Sequence, residues 1–352
     1  MALFSKKKNV IGVDIGSSAI KIVELKDTKK GYQLVNYGIA PIPSEVIVDG
    51  AIMDSFAIVE AIKNLLAEKK IKTKDAVISV SGHSVIIKKI TLPAMTEEEL
   101  EESIQWEAEQ YIPFPIGDVN MDFHILEMAT KQPQMDVLIV AVKKDMINDY
   151  TAVMSEAGLN TVVADVDSFA LENMYCINYD VTPEETVALV NLGANVININ
   201  ILKGGTSTLT RDVSVGGRQI TNEIQKHLGV SFEDAEILKC GGEVTGVDAK
   251  NVEEIVKTAS VALVTEVQRS FDFYLSATQE GRIDKVYLSG GSSKIKGIAE
   301  AISERTGIPT DVGNPFLKIG LNKKTFDAEN LKKDAAFLCV GVGLAIRRPG
   351  DK

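Results

Sequence analysis

The sequence has few of the residues that build disulfides and metal centres: three cysteines and three histidines among 352 residues. Cys176, Cys240 and Cys339 lie far apart and form no CxxC pair. This usage suits a reducing compartment and offers no metal framework. The histidines are equally scattered, so we expect packing or surface residues rather than ligands. They are His83, His124 and His227.

Long apolar runs are also missing, since none approaches the roughly 18–20 residues that cross a bilayer. The start, MALFSKKKN, places its lysines after a very short apolar stretch, which is not the pattern of a secretory signal. We expect this terminus to be frayed and solvated, with contact to an anionic membrane as the alternative. The chain is therefore predicted to be cytoplasmic.

Acidic residues outnumber basic residues by 49 to 38, and the resulting net charge of −11 argues against a general nucleic-acid binder. The sequence has no P-loop of the form GxxxxGK[ST], no GxGxxG after its first strand and no recognisable Ser-His-Asp or Cys-His arrangement. Its 45% hydrophobic and 25% charged residues are typical of a soluble globular protein. A length of 352 residues is enough for two lobes.

An internal repeat is the most informative feature that is present. The run VDIGSSAIKI at residues 13–22 aligns without gaps on VNLGANVINI at residues 190–199. Each copy reads as an apolar strand, a polar residue, a glycine turn and a second strand with alternating apolar positions. The polar residue and the glycine are Asp14 and Gly16 in the first copy, and Asn191 and Gly193 in the second. The repeat predicts two similar lobes.

Strands and helices interleave along the chain, which predicts an α/β fold with mixed sheets. Apolar residues at helical spacing predict helices within residues 55–69 and 252–274. Further strand-like runs are residues 76–80, 85–90, 137–142 and 286–288.

One block, residues 85–163, is predicted to be an inserted subdomain on the first lobe. It contains a helix that begins with a capping box of Thr96 and Glu99, lies between β-rich stretches and ends before two prolines. The helix face and the prolines are Leu100, Ile104, Ala108, Tyr111, Pro113 and Pro115.

Both glycine turns have the chemistry of a phosphate site, because their backbone N–H groups can face an anion and their small residues allow close approach. The small residues are Ser17, Ser18, Ala194 and Asn195. Lys21 adds a point charge, and Asp14 can hold Mg²⁺ through water. A single turn of this kind is more often an ordinary β-turn. The duplication favours a triphosphate clamped between lobes.

Two further segments have glycines beside polar residues. In YLSGGSSKIKGI, Gly290 and Gly291 permit close approach of a base or ribose, and Ser292 and Ser293 are predicted to cap a helix. That helix would carry Ile295, Ile298 and Ile302. The alternative is a tight strand-to-helix connection.

The other segment, SVGGRQITNEIQKHLG, precedes Glu236 and Lys239. This pair lies one helical turn apart and can bracket a ribose hydroxyl. A solvated ion pair is the alternative.

The order of these motifs resembles that of the superfamily of actin, sugar kinases and heat-shock ATPases. Within it, residues 91–116, TLPAMTEEELEESIQWEAEQYIPFPI, are very similar to the signature block of the PilM family of type IV pilus assembly proteins, relatives of FtsA. The resemblance covers essentially the full length. It implies an actin-like, duplicated ribonuclease H-like α/β fold of two lobes, with an FtsA-type 1C insertion subdomain in place of actin's 1B.

The domain boundaries expected from this resemblance follow the motifs. Lobe I comprises residues 1–84, 164–185 and 338–352, the inserted subdomain residues 85–163, and lobe II residues 186–337.

The resemblance also implies a site for ATP and Mg²⁺. Its nucleotide-binding residues are Asp14, Gly16, Ser17, Ser18, Lys21, Gly193, Ala194, Asn195, Gly216, Gly217, Glu236, Lys239, Gly290, Gly291 and Ser292. Asp14 would hold the metal through water. Asn191 stands where actin-like ATPases usually have an aspartate, and asparagine can neither act as a base nor neutralise Mg²⁺. We therefore expect ATP binding with weak or absent hydrolysis.

The partner implied by the resemblance is the cytoplasmic tail of a PilN-like inner-membrane protein, alongside other pilus assembly proteins. The chain ends IRRPGDK, which is not an amphipathic membrane helix like that of FtsA, so we expect attachment to the inner face of the membrane only through this partner.

An aromatic and proline cluster is the expected anchor for that tail, in a cleft between the subdomain and the rest of lobe I. Its members are Trp106, Tyr111, Pro113, Phe114 and Pro115. The alternative is that these residues only pack the helix on its own sheet.

Three other functions remain open at this point. They are an FtsA-like polymerising scaffold, a sugar-kinase-type phosphotransferase and a chaperone ATPase. We can assign no catalytic aspartate to the second, and no second substrate domain follows the nucleotide domain as the third requires.

Overall fold

A computed structural model describes residues 9–128, 134–278, 281–322 and 325–351. The expectation for the N-terminal MALFSKKK lies outside these residues. Within them, no helix is long and apolar enough to span a membrane.

The regular elements alternate along the chain as the sequence predicts. The strands are β1 (Ile11–Ile15), β2 (Ala19–Thr28), β3 (Gly31–Pro41), β4 (Ile47–Val48), β5 (Ala51–Ile52), β6 (Asp75–Val80), β7 (Val85–Pro93), β8 (Val119–Met128), β9 (Gln134–Lys143), β10 (Asn160–Val166), β11 (Thr186–Leu192), β12 (Ile197–Lys203), β13 (Thr206–Val213), β14 (Lys285–Ser289) and β15 (Thr310–Val312). The helices are α1 (Ser55–Glu68), α2 (Glu97–Glu109), α3 (Lys144–Glu156), α4 (Asp167–Asn178), α5 (Gly217–Leu228), α6 (Phe232–Lys239), α7 (Ala249–Ala277), α8 (Ile298–Thr306), α9 (Ala328–Asp334) and α10 (Cys339–Ile346).

Two five-stranded sheets have the same arrangement, which confirms the internal repeat. The first has the order β10-β6-β1-β2-β3 and the second β15-β14-β11-β12-β13. In both, the first strand of the repeat pairs antiparallel with the next strand and parallel with a later one. Strand β1 is buried along its whole length, as expected for the centre of a sheet covered on both faces. The fold is therefore actin-like, with two lobes.

Helices α4 and α10 pack between the two sheets and join the lobes. Their apolar residues form one core with residues of β2, β11 and β12. The two helices approach closely, because a Cβ on Gly343 would lie 1.7 Å from the carbonyl oxygen of Ala170. A larger residue at position 343 would force these helices apart.

A three-stranded antiparallel sheet, β7-β9-β8, forms the inserted subdomain together with α2. Leu100, Ile104 and Ala108 of α2 pack on one face of this sheet, against alternate residues of β9 such as Val137. The predicted capping box is confirmed: the Thr96 backbone N–H donates to Glu99 and the Glu99 backbone N–H donates to Thr96.

Residues 144–163, which the sequence places in the insertion, belong with the first sheet. Strand β10 pairs with β6, and α3 packs into the first lobe's core through residues such as Met146 and Tyr150. We propose that the inserted subdomain ends at Lys143.

The helix predicted directly after Gly291 begins later. Residues 291–294 form a 3-10 turn, Ile295 is extended, and α8 begins at Ile298 after Gly297. Gly297 has φ +82°, a left-handed conformation that interrupts any helix running from Ser292. Ser292 and Ser293 therefore do not cap α8, and the expected capping role is wrong.

Candidate functional site

The two glycine turns face the same cavity from opposite lobes. The backbone N–H of Gly16 donates to Ala19 (3.2 Å), and that of Gly193 donates to Val196 (3.0 Å). A Cβ on Gly193 would lie 2.6 Å from the Val196 carbonyl oxygen, so the turn depends on glycine. The predicted residues that line the cavity are Asp14, Gly16, Ser17, Ser18, Lys21, Gly193, Ala194, Asn195, Gly290 and Gly291.

Gly216 and Gly217 lie behind the second turn rather than at the cavity wall. The Gly217 N–H donates to the Gly193 carbonyl oxygen at 3.0 Å, and the Arg218 N–H to that of Ala194 at 2.8 Å. A Cβ on Gly216 would meet the Ala194 carbonyl oxygen at 2.3 Å. The start of α5 therefore supports the second turn through close backbone contact.

Glu236 and Lys239 form a network in which Lys239 is buried, whereas the Glu236 side chain is 38% exposed. Lys239 Nζ lies 2.6 Å from Glu236 Oε1 and 2.9 Å from Thr221 Oγ1, and its side chain is only 6% exposed. Thr221 also donates to Glu236. Ser292 donates to the Gly193 carbonyl oxygen at 3.0 Å, which ties the Gly-Gly segment to the second turn.

Asp14 is the buried carboxylate of the cavity. Lys21 pairs with it at 3.2 Å across the β1–β2 hairpin. Burial nevertheless raises the pKa of Asp14, Lys21 opposes this, and the nearby charge of Asp167 raises it further. A divalent cation beside these carboxylates would offset that cost.

Asp167 is a cavity residue that the sequence analysis missed. It begins α4 and accepts a hydrogen bond from Ser79 Oγ at 2.6 Å, at the carboxyl end of β6. The available signal was the aspartate that directly follows the strand-like segment TVVADV at residues 161–166, because the carboxyl ends of parallel strands meet at one edge of a sheet.

Arg218 is a second residue that the sequence analysis missed. Its Nη2 donates to the Ser17 carbonyl oxygen at 3.1 Å, which links α5 of one lobe to the first turn of the other. Its buried Nε has no hydrogen-bond partner among the described residues. It is a cation placed next to the first glycine turn.

Asn191 lines the cavity, but its amide is engaged by the sheet. Its Nδ2 donates to Asn198 Oδ1 at 2.9 Å, and Ser289 Oγ donates to its Oδ1 at 3.4 Å. Asn198 in turn donates to Asp212, which accepts the backbone N–H of Gly82 from the first lobe at 2.6 Å. The network holds the lobes together beside the cavity.

A second cavity of about 380 Å³ lies between the inserted sheet and the first lobe. Its apolar wall includes Leu138 and Val140 of β9, Ile147 of α3 and Phe169 of α4. Strands β8 and β10, which both border it, are edge strands of their sheets. We call this cavity the cleft.

The cleft also contains buried charge. Arg347 Nε lies 2.9 Å from Asp165 Oδ2. Burial raises the pKa of Asp165, and Arg347 opposes the increase. Burial likewise raises the pKa of Glu172, whose hydrogen bonds with Ser207 and Asn200 act in the opposite direction.

The aromatic and proline cluster is not part of the cleft. None of its residues lines that cavity, because α2 packs on the opposite face of the inserted sheet. Trp106 is 78% exposed and Tyr111 38% exposed, whereas Phe114 packs on the subdomain core.

Comparison with known proteins identifies the family. The family model described as type IV pilus assembly protein PilM matches residues 12–349. The chain belongs to the PilM family. PilM from a PilM-PilN type IV pilus biogenesis complex has a similar structure, with a TM-score of 0.87 and 26% identity over 98% of this chain and 100% of that chain.

More distant relatives are consistent with this family. Cell division protein FtsA of Pseudomonas aeruginosa is 23% identical over 91% of this chain and 86% of its own length. The ethanolamine utilization protein EutJ of Carboxydothermus hydrogenoformans has a TM-score of 0.59 at 16% identity, over 98% of this chain and 91% of EutJ. MreB5 of Spiroplasma citri, solved bound to ADP, has a TM-score of 0.51 at 13% identity, over 96% of this chain and 94% of the MreB5 chain. The last two share the actin-like fold.

Proposed function

We propose that this PilM-family chain is an ATP-binding adaptor that holds the cytoplasmic tail of a PilN-like protein at the inner face of the membrane. The observation that carries the proposal is the pair of separate cavities, one between the glycine turns and one beside the inserted sheet. The similarity to a chain of the PilM-PilN type IV pilus biogenesis complex supports a PilN-like partner, which we assign to the second cavity.

The cavity between the lobes suits a nucleoside triphosphate with Mg²⁺. Two backbone turns and Lys21 line this cavity and offer hydrogen-bond donors and positive charge to phosphates, and Arg218 adds positive charge beside the first turn. Asp14 and Asp167 offer carboxylates to the waters of a bound Mg²⁺. The Glu236–Lys239 pair lies behind the second turn with the Glu236 side chain 38% exposed, and we place the ribose beside it.

Thermal unfolding tests the nucleotide site. ATP with Mg²⁺ should stabilise the chain by about 2.7 kcal/mol at a hundredfold excess over Kd, and Asp14→Ala should reduce the Mg²⁺-dependent part. Glu68→Ala, which changes a 67% exposed side chain at the end of α1, is the control. An unchanged melting temperature at millimolar Mg-ATP would count against the site.

The cleft suits an extended peptide. Its strands β8 and β10 lie at the edges of their sheets, a position that suits addition of an extended peptide, and its apolar wall offers pockets for alternate side chains. Burying apolar side chains of the tail against Leu138, Val140 and Phe169 would supply most of the affinity.

Calorimetry with the synthetic tail of the PilN-like protein tests the cleft. Val140→Asp places a charge on its apolar wall and should weaken binding by at least about tenfold, or 1.4 kcal/mol. Val261→Asp makes the same change at a 60% exposed position on α7 and should have no effect. Equal affinity of the two variants would place the tail elsewhere.

A further inference from the structure

Helix α2 has an unusual outer surface. Seven of its thirteen residues are glutamate and none is basic, and no lysine or arginine occurs anywhere from residue 90 to residue 130. In this acidic setting lies Trp106, the single tryptophan of the chain, with 78% of its surface exposed. We call the exposed side of α2 around Trp106 the α2 face.

Folding explains only part of this composition. Glu97, Glu98 and Glu99 lie in the first turn, where negative charge favours the helix. Glu107 and Glu109 lie in the last turns, where negative charge opposes the helix dipole. Two glutamates there, beside an exposed tryptophan, lower the stability of the helix.

No compensating contact offsets this cost. Among the described residues, no lysine, arginine or histidine nitrogen lies within 4 Å of the carboxylates of Glu101, Glu102, Glu107 or Glu109. Trp106 adds nothing to the core, because α2 is buried through Leu100, Ile104 and Ala108. Charges that oppose the helix dipole and an exposed large aromatic residue, without a compensating gain in stability, indicate a functional surface.

The α2 face is separated from the cleft by the thickness of the inserted sheet. Met135, Val137 and Ile139 of β9 point to the core under α2, and Leu138 and Val140 point to the cleft. A ligand on each side can therefore bind the subdomain at the same time.

We propose that the α2 face is a second docking surface, which binds an arginine- and lysine-rich segment of another protein. Glu102 and Glu109 flank Trp106 at helical spacings of four and three residues. A guanidinium can stack on the indole while its N–H groups pair with these carboxylates. Exposed tryptophans are frequent interface anchors, and the acidic surroundings favour a basic partner over an acidic one.

Site-specific cross-linking in the organism that encodes the chain tests this surface. The photoreactive p-benzoylphenylalanine replaces Gln110, an exposed residue one helical turn after Trp106, in one variant and Phe273, 54% exposed on α7, in the control. We expect a cross-linked product specific to position 110, whose partner peptide is rich in arginine and lysine. Absence of such a product, or a partner segment that is neutral or acidic or a second copy of this chain, overturns the proposal.

Two further variants, each carrying the cross-linker at position 110 and keeping Trp106, make the test specific. Glu102→Gln with Glu109→Gln keeps the helix but removes the flanking charges, and should lower the yield of the product about fivefold, as expected for loss of two exposed ion pairs. Val140→Asp disrupts the cleft and should leave the product unchanged. An unchanged yield in the first variant, or loss of the product in the second, contradicts a separate electrostatic site.

Discussion

The carboxyl group of Asp14 is in an electrostatically unfavourable position. It is buried with one cation, Lys21, at 3.2 Å and a second carboxylate, Asp167, close enough to raise its pKa. Such a group has a cost in the free energy of folding. A bound Mg²⁺ would turn this cost into binding energy, so stability and function oppose each other at this residue.

Replacing Asp14 with asparagine should make the nucleotide-free chain more stable at neutral pH. Folding raises the pKa of this carboxyl group. The stability that the Asp14 carboxyl group contributes is therefore fully present at a pH below its pKa in the unfolded chain. It is lost as the pH rises through its pKa in the folded chain. Urea unfolding at about pH 4 and about pH 7 should show the larger gain for Asp14→Asn at the higher pH. A less stable variant at pH 7 would mean that the pair with Lys21 outweighs burial.

Asn191 and Asp167 together should decide the rate of ATP hydrolysis. Asn191 cannot act as a base, so we expect turnover far below about 10 per second, the median for enzymes. Asn191→Asp should raise the rate of phosphate release. Asp167→Asn in that variant should abolish the gain if Asp167 orients the attacking water. Fast turnover by the unaltered chain would show that Asn191 is not limiting.

At the scale of elements, local signals predicted part of the helices and strands, whereas α4, α10 and β3, among others, were not predicted. The helices at residues 55–69 and 252–274 and all four strand runs are confirmed within a few residues, and so is the capping box at Thr96. The assignment of β10 to the first sheet could not be read from its sequence, because pairing with β6 joins segments about 85 residues apart. The aromatic and proline cluster was wrongly predicted to lie in the cleft. Its sequence predicts a helix, but it does not predict which face of the inserted sheet that helix covers.

Helix α2 offers a prediction at this scale. Leu100→Ala removes a fully buried side chain and should cost about 2–5 kcal/mol of subdomain stability, whereas Glu101→Ala on the exposed side should change it by less than about 0.5 kcal/mol. Hydrogen exchange of the β7, β8 and β9 amides measures the difference. Equal protection in the two variants would show that α2 does not stabilise the sheet.

The whole molecule has its two cavities on either side of one partition. Val80 lines both cavities. At the β10–α4 junction, Asp165 and Val166 line the cleft, whereas the next residue, Asp167, lines the cavity between the lobes. The internal repeat predicted the cavity between the lobes, since it marks both turns. The residues of the cleft were not predictable, because they come from six separate parts of the chain.

Native mass spectrometry of the full chain tests the central claim most directly. With Mg-ATP and the synthetic tail of the PilN-like protein both present, we predict one complex that contains one chain, one nucleotide and one peptide. Val140→Asp should lose the peptide and keep the nucleotide, and Val261→Asp should keep both. A spectrum in which the chain never carries both ligands, or in which Val140→Asp retains the peptide as well as Val261→Asp does, would contradict an adaptor with two separate sites.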